Sequence, residues 1–444
     1  MIPPATTMKP TLVSDLTSPD EKRARSLPWS SPSRASAFDP VLARVAATWT
    51  WARFVPVAVA LVTIVTLAIV HLATCLASRD AILDASVRLP STVRNTVTEY
   101  PEPIYATLLR LRGVQPVPES ASDGDRATAA KSTTVWTRML PPLLVPRVPG
   151  TVTHAEARAH LAAHLERIGF HVELDHFNAT TPMGVKPMAN VIATWDRHAP
   201  KRLVLAAHYD SKYFSRWEFI GAIDAAASCA ILLDVAETVA PALHATKTDT
   251  TLQLVFFDGE EAWGPISESN SIYGSRHLAA TWAATSAPSG GTDTMLDTIT
   301  TFVLLDLLGS RSAPIRNQHL ETTAQFQSLI DVEADLRARR FLTAAANTSM
   351  TYFEETFERR HIQDDQIPFW QAGVPVVHAI PLPFPDVWHT VRDTVDALDP
   401  VIVVDLARVF AAFAVEELRL QAPAPVARDV TARMWREWSM LGRK

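Results

Sequence analysis

Cysteine is nearly absent from this 444-residue chain: only Cys75 and Cys229 occur. That excludes a disulfide-stapled scaffold and the cysteine-rich zinc modules. Glycine is sparse, at 14 residues, whereas proline reaches 32 and is concentrated partly in the N-terminal third. No excess of basic charge exists either. Lys and Arg total 41 against 47 Asp and Glu, a net charge of -6, which argues against a general nucleic-acid binder. Apolar residues make up 48% and charged residues 20%, enough for a large buried core and incompatible with a wholly disordered chain. The length allows two or three domains, or one large α/β domain with appendages.

One long stretch has no ionisable Asp, Glu, Lys or Arg: residues 54–78, with the core FVPVAVALVTIVTLAIV. Its length suits a bilayer core of about 30 Å, it is apolar all round, and Trp49 and Trp51 mark one edge. It starts too late and runs too long for a cleaved signal peptide. The preceding tail carries Lys9, Lys22, Arg23, Arg25, Arg34, Arg44 and Arg53. Local charge around the span is nearly balanced, but the positive tail favours a type II orientation, since long C-terminal domains cross largely regardless of charge. The expected organisation is a disordered cytosolic tail (1–53), a transmembrane helix (54–78), a stem (79–97), a catalytic domain (98–425) and a C-terminal helical tail (426–444). Two sequons, at Asn178 and Asn347, would be glycan acceptors in a lumen.

Within the domain, a helix is expected at Ile104–Leu111, a polar loop at Pro118–Ala129 and a helix at His154–Ile168 ended by Gly169. Strands are expected at Leu203–Ala207, Leu252–Phe257, Phe302–Leu308 and Val374–Ile380. Helices are expected at Ala225–Val239, Tyr273–Thr285 and Val401–Leu418. This alternation implies an α/β sandwich around a largely buried sheet, with ligands beyond the C-terminal strand ends.

Those ends carry acids and histidines: His208-Tyr-Asp210, Asp258-Gly-Glu260-Glu261, Asp306, and further on Trp388-His389. Asp224 precedes a sheet-covering helix. Asp224, Glu261 and His389 make a three-ligand set suited to Zn²⁺ with a fourth position open, and Glu260 is placed to act as general acid and base. Any one of these residues alone reads equally as a turn acid or a helix cap. Their joint occurrence at successive strand ends carries the inference.

HYDSKYF (His208–Phe214), FFDGEEA (Phe256–Ala262), YGSRHLA (Tyr273–Ala279), LLDLLG (Leu304–Gly309), QDDQIPF (Gln363–Phe369) and FPDVWHT (Phe384–Thr390) occur in this order. Together they resemble the animal-type glutaminyl cyclases, members of the zinc aminopeptidase-like clan, from about Trp136 to Leu420. The resemblance implies a three-layer α/β sandwich with a central mixed, mostly parallel sheet, here preceded by one transmembrane helix. It implies cyclisation of N-terminal glutamine in peptides and proteins to pyroglutamate, with release of ammonia. One zinc per chain would be held by Asp224, Glu261 and His389, with Glu260 as proton shuttle. Asp306 and Asp364 resemble the family's hydrogen-bonding acids, and Phe384 and Trp388 its apolar pocket walls. The anchored layout resembles Golgi-resident members, and a monomer is expected.

Two departures stand out. Ile266 occupies a position where the family often has a pocket tryptophan. Cys229 matches half of a disulfide seen in secreted members, but Ala207 replaces the other half, so Cys229 is expected as a free buried thiol. Two other readings stay open. A two-metal aminopeptidase of the same clan would use His208, Asp224, Glu261, Asp306 and His389. A membrane-tethered, non-catalytic binding protein would keep only the fold.

Overall fold

The computed structural model describes residues 102–423 apart from 265, 266, 268, 289 and 345–350. The expected span, the stem, the C-terminal tail, Ile266 and Asn347 lie outside the described residues.

The strands form because short apolar runs are buried on both faces. β1 (His171–Thr181) and β2 (Gly184–Thr194) make a hairpin, followed by β3 (Lys201–His208), β4 (Thr250–Phe257) and β5 (Ile299–Leu305). β6 (Ile315–Asn317) and β7 (Phe353–Phe357) pair separately, and β8 (Val376–Ala379) returns to the main sheet. The main sheet has the order β1-β2-β4-β3-β5-β8. β4, β3, β5 and β8 are parallel neighbours, whereas β1–β2 and β2–β4 are antiparallel. The sheet is therefore mixed and mostly parallel, as expected.

Alternate side chains along each central strand serve different faces. Leu203, Leu205 and Ala207 join one cluster with Leu252, Leu254 and Phe256. Val204 and Ala206 join another with Val255, Phe257, Phe302 and Leu304. The first face is covered by α1 (Ile104–Leu111), α3 (Val152–Ile168), α4 (Ala227–Ala245), α6 (Thr323–Ala338) and α8 (Pro400–Glu417), with α2 (Asp123–Lys131) at its margin. The second is covered by α5 (Tyr273–Ala284) and α7 (Ile367–Gln371), whose Leu278, Trp282 and Phe369 pack there. Three layers result. Among the described residues, Ala222–Ala245 is the one helical stretch long and apolar enough to cross a bilayer, and it is almost wholly buried as a core helix.

Several expectations need correction. The polar segment expected as a loop contains α2, which has little apolar patterning but a full capping box: Ser122 Oγ accepts the Asp125 N–H, and the Asp125 carboxylate accepts the Ser122 N–H. The strand expected to run to Leu308 ends at Leu305. α4 starts later than expected and continues to Ala245, because residues 222–226 form an irregular turn. The β1–β2 hairpin and α6 are not anticipated above. β1 is largely exposed and so lacks a clean alternation. In α6, Phe326, Leu329, Val332 and Leu336 do keep helical spacing.

Candidate metal centre

β3 ends on His208, and the following turn holds Asp210 beneath the end of β4. Asp210 accepts the backbone N–H groups of Glu260 at 3.0 Å and Glu261 at 3.2 Å. This fixes the turn that carries both glutamates. Asp258, two residues earlier, accepts from Ala189 N–H at 2.7 Å and Tyr209 OH at 2.9 Å and lies 2.8 Å from His154 Nε2. Its role is to lock the strand ends together.

Asp224 sits on the irregular turn before α4. Gly221 enters that turn with φ +60°, and a Cβ there would lie 2.0 Å from the Asp224 carbonyl oxygen. Only glycine fits. Two buried side chains clamp the turn. The Arg147 guanidinium donates to the carbonyls of Ile220 at 2.6 Å, Gly221 at 3.2 Å and Tyr209 at 2.7 Å, and also to that of Leu143. Asp393 accepts the Ile223 N–H at 2.8 Å. Burial holds Arg147 below the usual guanidinium range; burial together with nearby Asp224 lifts Asp393 to about 7.

Asp224, Glu261 and His389 converge. His389 Nε2 lies 3.3 Å from Asp224 Oδ2 and 3.2 Å from Glu261 Oε1. Ligand atoms of all three lie within 4.8 Å of one another. Asp224 Oδ2 is buried without a hydrogen bond of normal geometry, so its contact with His389 is an ion pair at ligand-to-ligand distance. Two carboxylates and one imidazole are a donor set suited to zinc. Burial opposes charge on His389, but the facing carboxylates of Asp224 and Glu261 outweigh it and lift the ring to about 9. Glu261 also receives Lys212 Nζ on Oε2, at 2.9 Å. That leaves Oε1 turned toward His389.

A second cluster shares Asp224. His208 Nε2 lies 3.0 Å from Asp224 Oδ1 and 3.4 Å from Asp306 Oδ1. Burial pulls His208 down, and Asp210, Asp224 and Asp306 together raise it well above the ordinary histidine value. All five residues of a two-metal site therefore meet here, so ligand inventory does not separate the two enzymatic readings.

Glu260 stands beside the first cluster. Burial first, then repulsion from Glu261, push its carboxyl well above the usual range. Burial and repulsion from Asp364 lift Asp306 to about 7. Asp364 is buried and bonded through Oδ2 to His378 Nε2 at 2.8 Å. Trp388 stacks on His389 with ring centroids 4.0 Å apart, and Phe384 meets Trp388 edge-on at 4.9 Å. Trp388 remains 38% exposed, so it walls the site and still faces solvent. Cys229 is a free buried thiol bonded to the His208 carbonyl at 3.1 Å, as Ala207 predicts, and burial pushes it up to about 12.

The model of peptidase family M28 matches residues 190–414, about half of the chain. A glutaminyl-peptide cyclotransferase-like protein of Mus musculus is 43% identical over 297 residues, covering 64% of this chain and 76% of that protein. A glutaminyl-peptide cyclotransferase of Bos taurus is 39% identical over 298 residues, covering 64% and 82%. The chain belongs to the glutaminyl-peptide cyclotransferases. Among solved structures, the glutaminyl cyclase of Macrostomum lignano is similar with TM-score 0.63 and 33% identity, over 75% of this chain and 97% of that one. As a member of this family the chain is an enzyme that closes N-terminal glutamine to pyroglutamate, and a zinc-type metal belongs to its site.

Sequence reasoning anticipates the convergence of Asp224, Glu261, His389, Glu260 and Asp306. It misses Lys212, Arg147, His378 and Asp393. Lys212 and His378 lie inside or beside quoted motifs, where a polar side chain in or next to an apolar strand is a usable signal. Arg147 and Asp393 act through backbone groups remote in sequence, and nothing local marks them.

Two outcomes follow from this geometry. Gly221→Ala should destabilise by more than about 1 kcal/mol and abolish zinc retention, read by thermal unfolding and metal analysis; retained zinc would refute the role given to the turn. With His389 as a ligand, as proposed below, zinc would displace a proton from a ring lifted to about 9, and affinity should fall about tenfold per unit as pH is lowered through the range of roughly 8 to 6. A chelator-competition titration that found no pH dependence would refute this.

Proposed function

We propose that this cyclotransferase works with one zinc per chain, held by Asp224, Glu261 and His389, and that Glu260 moves the proton. The observation that supports this reading is the meeting of those three ligand groups beside Glu260, whose backbone is fixed with that of Glu261 by Asp210. Bound there, zinc supplies Lewis acidity toward the γ-carbonyl oxygen of the substrate glutamine. Glu260 takes a proton from the attacking α-amine and returns one to the departing amide nitrogen. One carboxylate serves both steps because they are sequential. Asp306 and Asp364 accept hydrogen bonds from the amine and the amide. Trp388 and Phe384 hold the folded-back glutamine side chain, and since attack is intramolecular this orientation is most of the work. Ile266, at the family's tryptophan position, would alter substrate affinity or selectivity. The site needs no contact far beyond the first residue, so diverse peptides and proteins qualify.

A two-zinc aminopeptidase is the second reading, favoured by the His208–Asp224–Asp306 cluster. Metal counting and an aminoacyl chromogenic substrate distinguish it. Glu260→Gln should keep zinc and lose about 10²–10⁴-fold in ammonia release from a glutaminyl peptide, whereas His389→Ala should lose the metal. Near-normal turnover by Glu260→Gln would remove the shuttle assignment.

We further read the chain as a monomeric type II Golgi protein, anchored by residues 54–78 with its catalytic domain in the lumen. Asn178 is exposed on the outer strand β1, where a glycan acceptor is accessible. Protein from a eukaryotic membrane fraction should lose mass on glycosidase treatment and resist protease added outside sealed vesicles. Protease digestion of the catalytic domain in intact vesicles would reverse the topology.

A further inference from the structure

Asp364 is held from two sides. Its Oδ1 accepts the Asp365 N–H at 2.7 Å, and its Oδ2 faces His378 Nε2 at 2.8 Å. His378 lies on β8 and is buried, as is Gln366. The other ring nitrogen, Nδ1, faces the Gln366 amide nitrogen at 3.2 Å. That same nitrogen donates to the Ile362 carbonyl at 3.3 Å.

A backbone carbonyl only accepts, so the group facing Ile362 must be the NH2. Turning the amide over would set two oxygens 3.3 Å apart. It would also bury both N–H donors where Gln366 Oε1 now lies without a partner. An unfilled acceptor is the lesser cost. The NH2 group that serves Ile362 also points at His378 Nδ1, which must then offer a lone pair.

We propose that Gln366 fixes His378 in the tautomer with its single ring proton on Nε2, directed at Asp364. Gln366 is a positioning residue: it reaches the substrate only through His378 and Asp364. The arrangement orients Asp364 with an uncharged donor and leaves its negative charge available to the substrate amine. An imidazolium in the same place would form an ion pair and cancel that charge. The inference rests on the reading of Asp364 as a substrate-binding acid given above.

The test is magic-angle-spinning ¹⁵N spectroscopy of the full chain labelled at histidine, with the His378 signals identified by their loss in His378→Gln. The expected result is one bare and one protonated ring nitrogen, the bare one being Nδ1. Gln366→Glu places an acceptor against Nδ1. It should convert His378 to the doubly protonated form and raise KM for a glutaminyl peptide about tenfold, with little change in kcat. A proton on Nδ1 in the wild-type protein overturns the proposal, as does a Gln366→Glu ring that keeps its bare nitrogen. A converted ring with unchanged KM overturns the positioning role. If Gln366→Glu fails to fold, the wild-type spectrum alone decides. Absence of ammonia release by the wild-type enzyme would instead overturn the functional reading and leave the ring assignment standing.

Discussion

Mutual repulsion among buried carboxylates governs this structure. Asp224, Glu261, Asp306, Asp364 and Asp365 are all buried around the C-terminal ends of the parallel strands, with Glu260 beside them. Such a concentration of like charge in low dielectric is unfavourable unless it is compensated or partly protonated. Both answers are visible. His208, His389 and Lys212 bring positive charge against Asp224 and Glu261. Glu260, Asp306 and Asp365 are pushed toward their protonated forms, first by burial and then by acidic neighbours. In the proposed mechanism a divalent cation between Asp224, Glu261 and His389 would complete the compensation.

The scaffold pins each acid to a different element. Asp210 joins the β3 turn to the β4 turn through two backbone N–H groups, and Arg147 joins the β3 turn to the Asp224 turn through carbonyls. Positive charge and negative charge are used here as fasteners for backbone, behind the residues that meet the substrate. A two-metal aminopeptidase needs the same ligands, so the difference between these chemistries lies outside the ligand set. Over His389 the Trp388 ring is stacked, with Phe384 edge-on against it.

Much of this was legible in the sequence, for physical reasons. Runs such as Leu203–Ala207 and Leu252–Phe257 are apolar on both faces because both faces are covered, and an acid or histidine directly after such a run has few places to go except the ligand-binding edge. Short cap-driven elements such as α2 escaped because their stability is in one reciprocal pair, Ser122 and Asp125, and not in a periodic face. Arg147 and Asp393 were silent because each acts on backbone groups far away in the chain, and Gln366 because its partner ring lies on the next strand. Only folding reveals which carbonyl or ring nitrogen a side chain will meet.

Cys229 illustrates how a missing partner changes what a protein requires of its surroundings. Its sulfur rests against the His208 carbonyl at the back of the site, and the neighbouring strand position is Ala207. No covalent staple ties α4 to β3; packing and the Arg147 clamp hold them. The catalytic unit thus assembles without an oxidant, and neither thiol-reducing conditions nor disulfide exchange should disturb the metal centre, which frees it for production and study in a reducing cytoplasm.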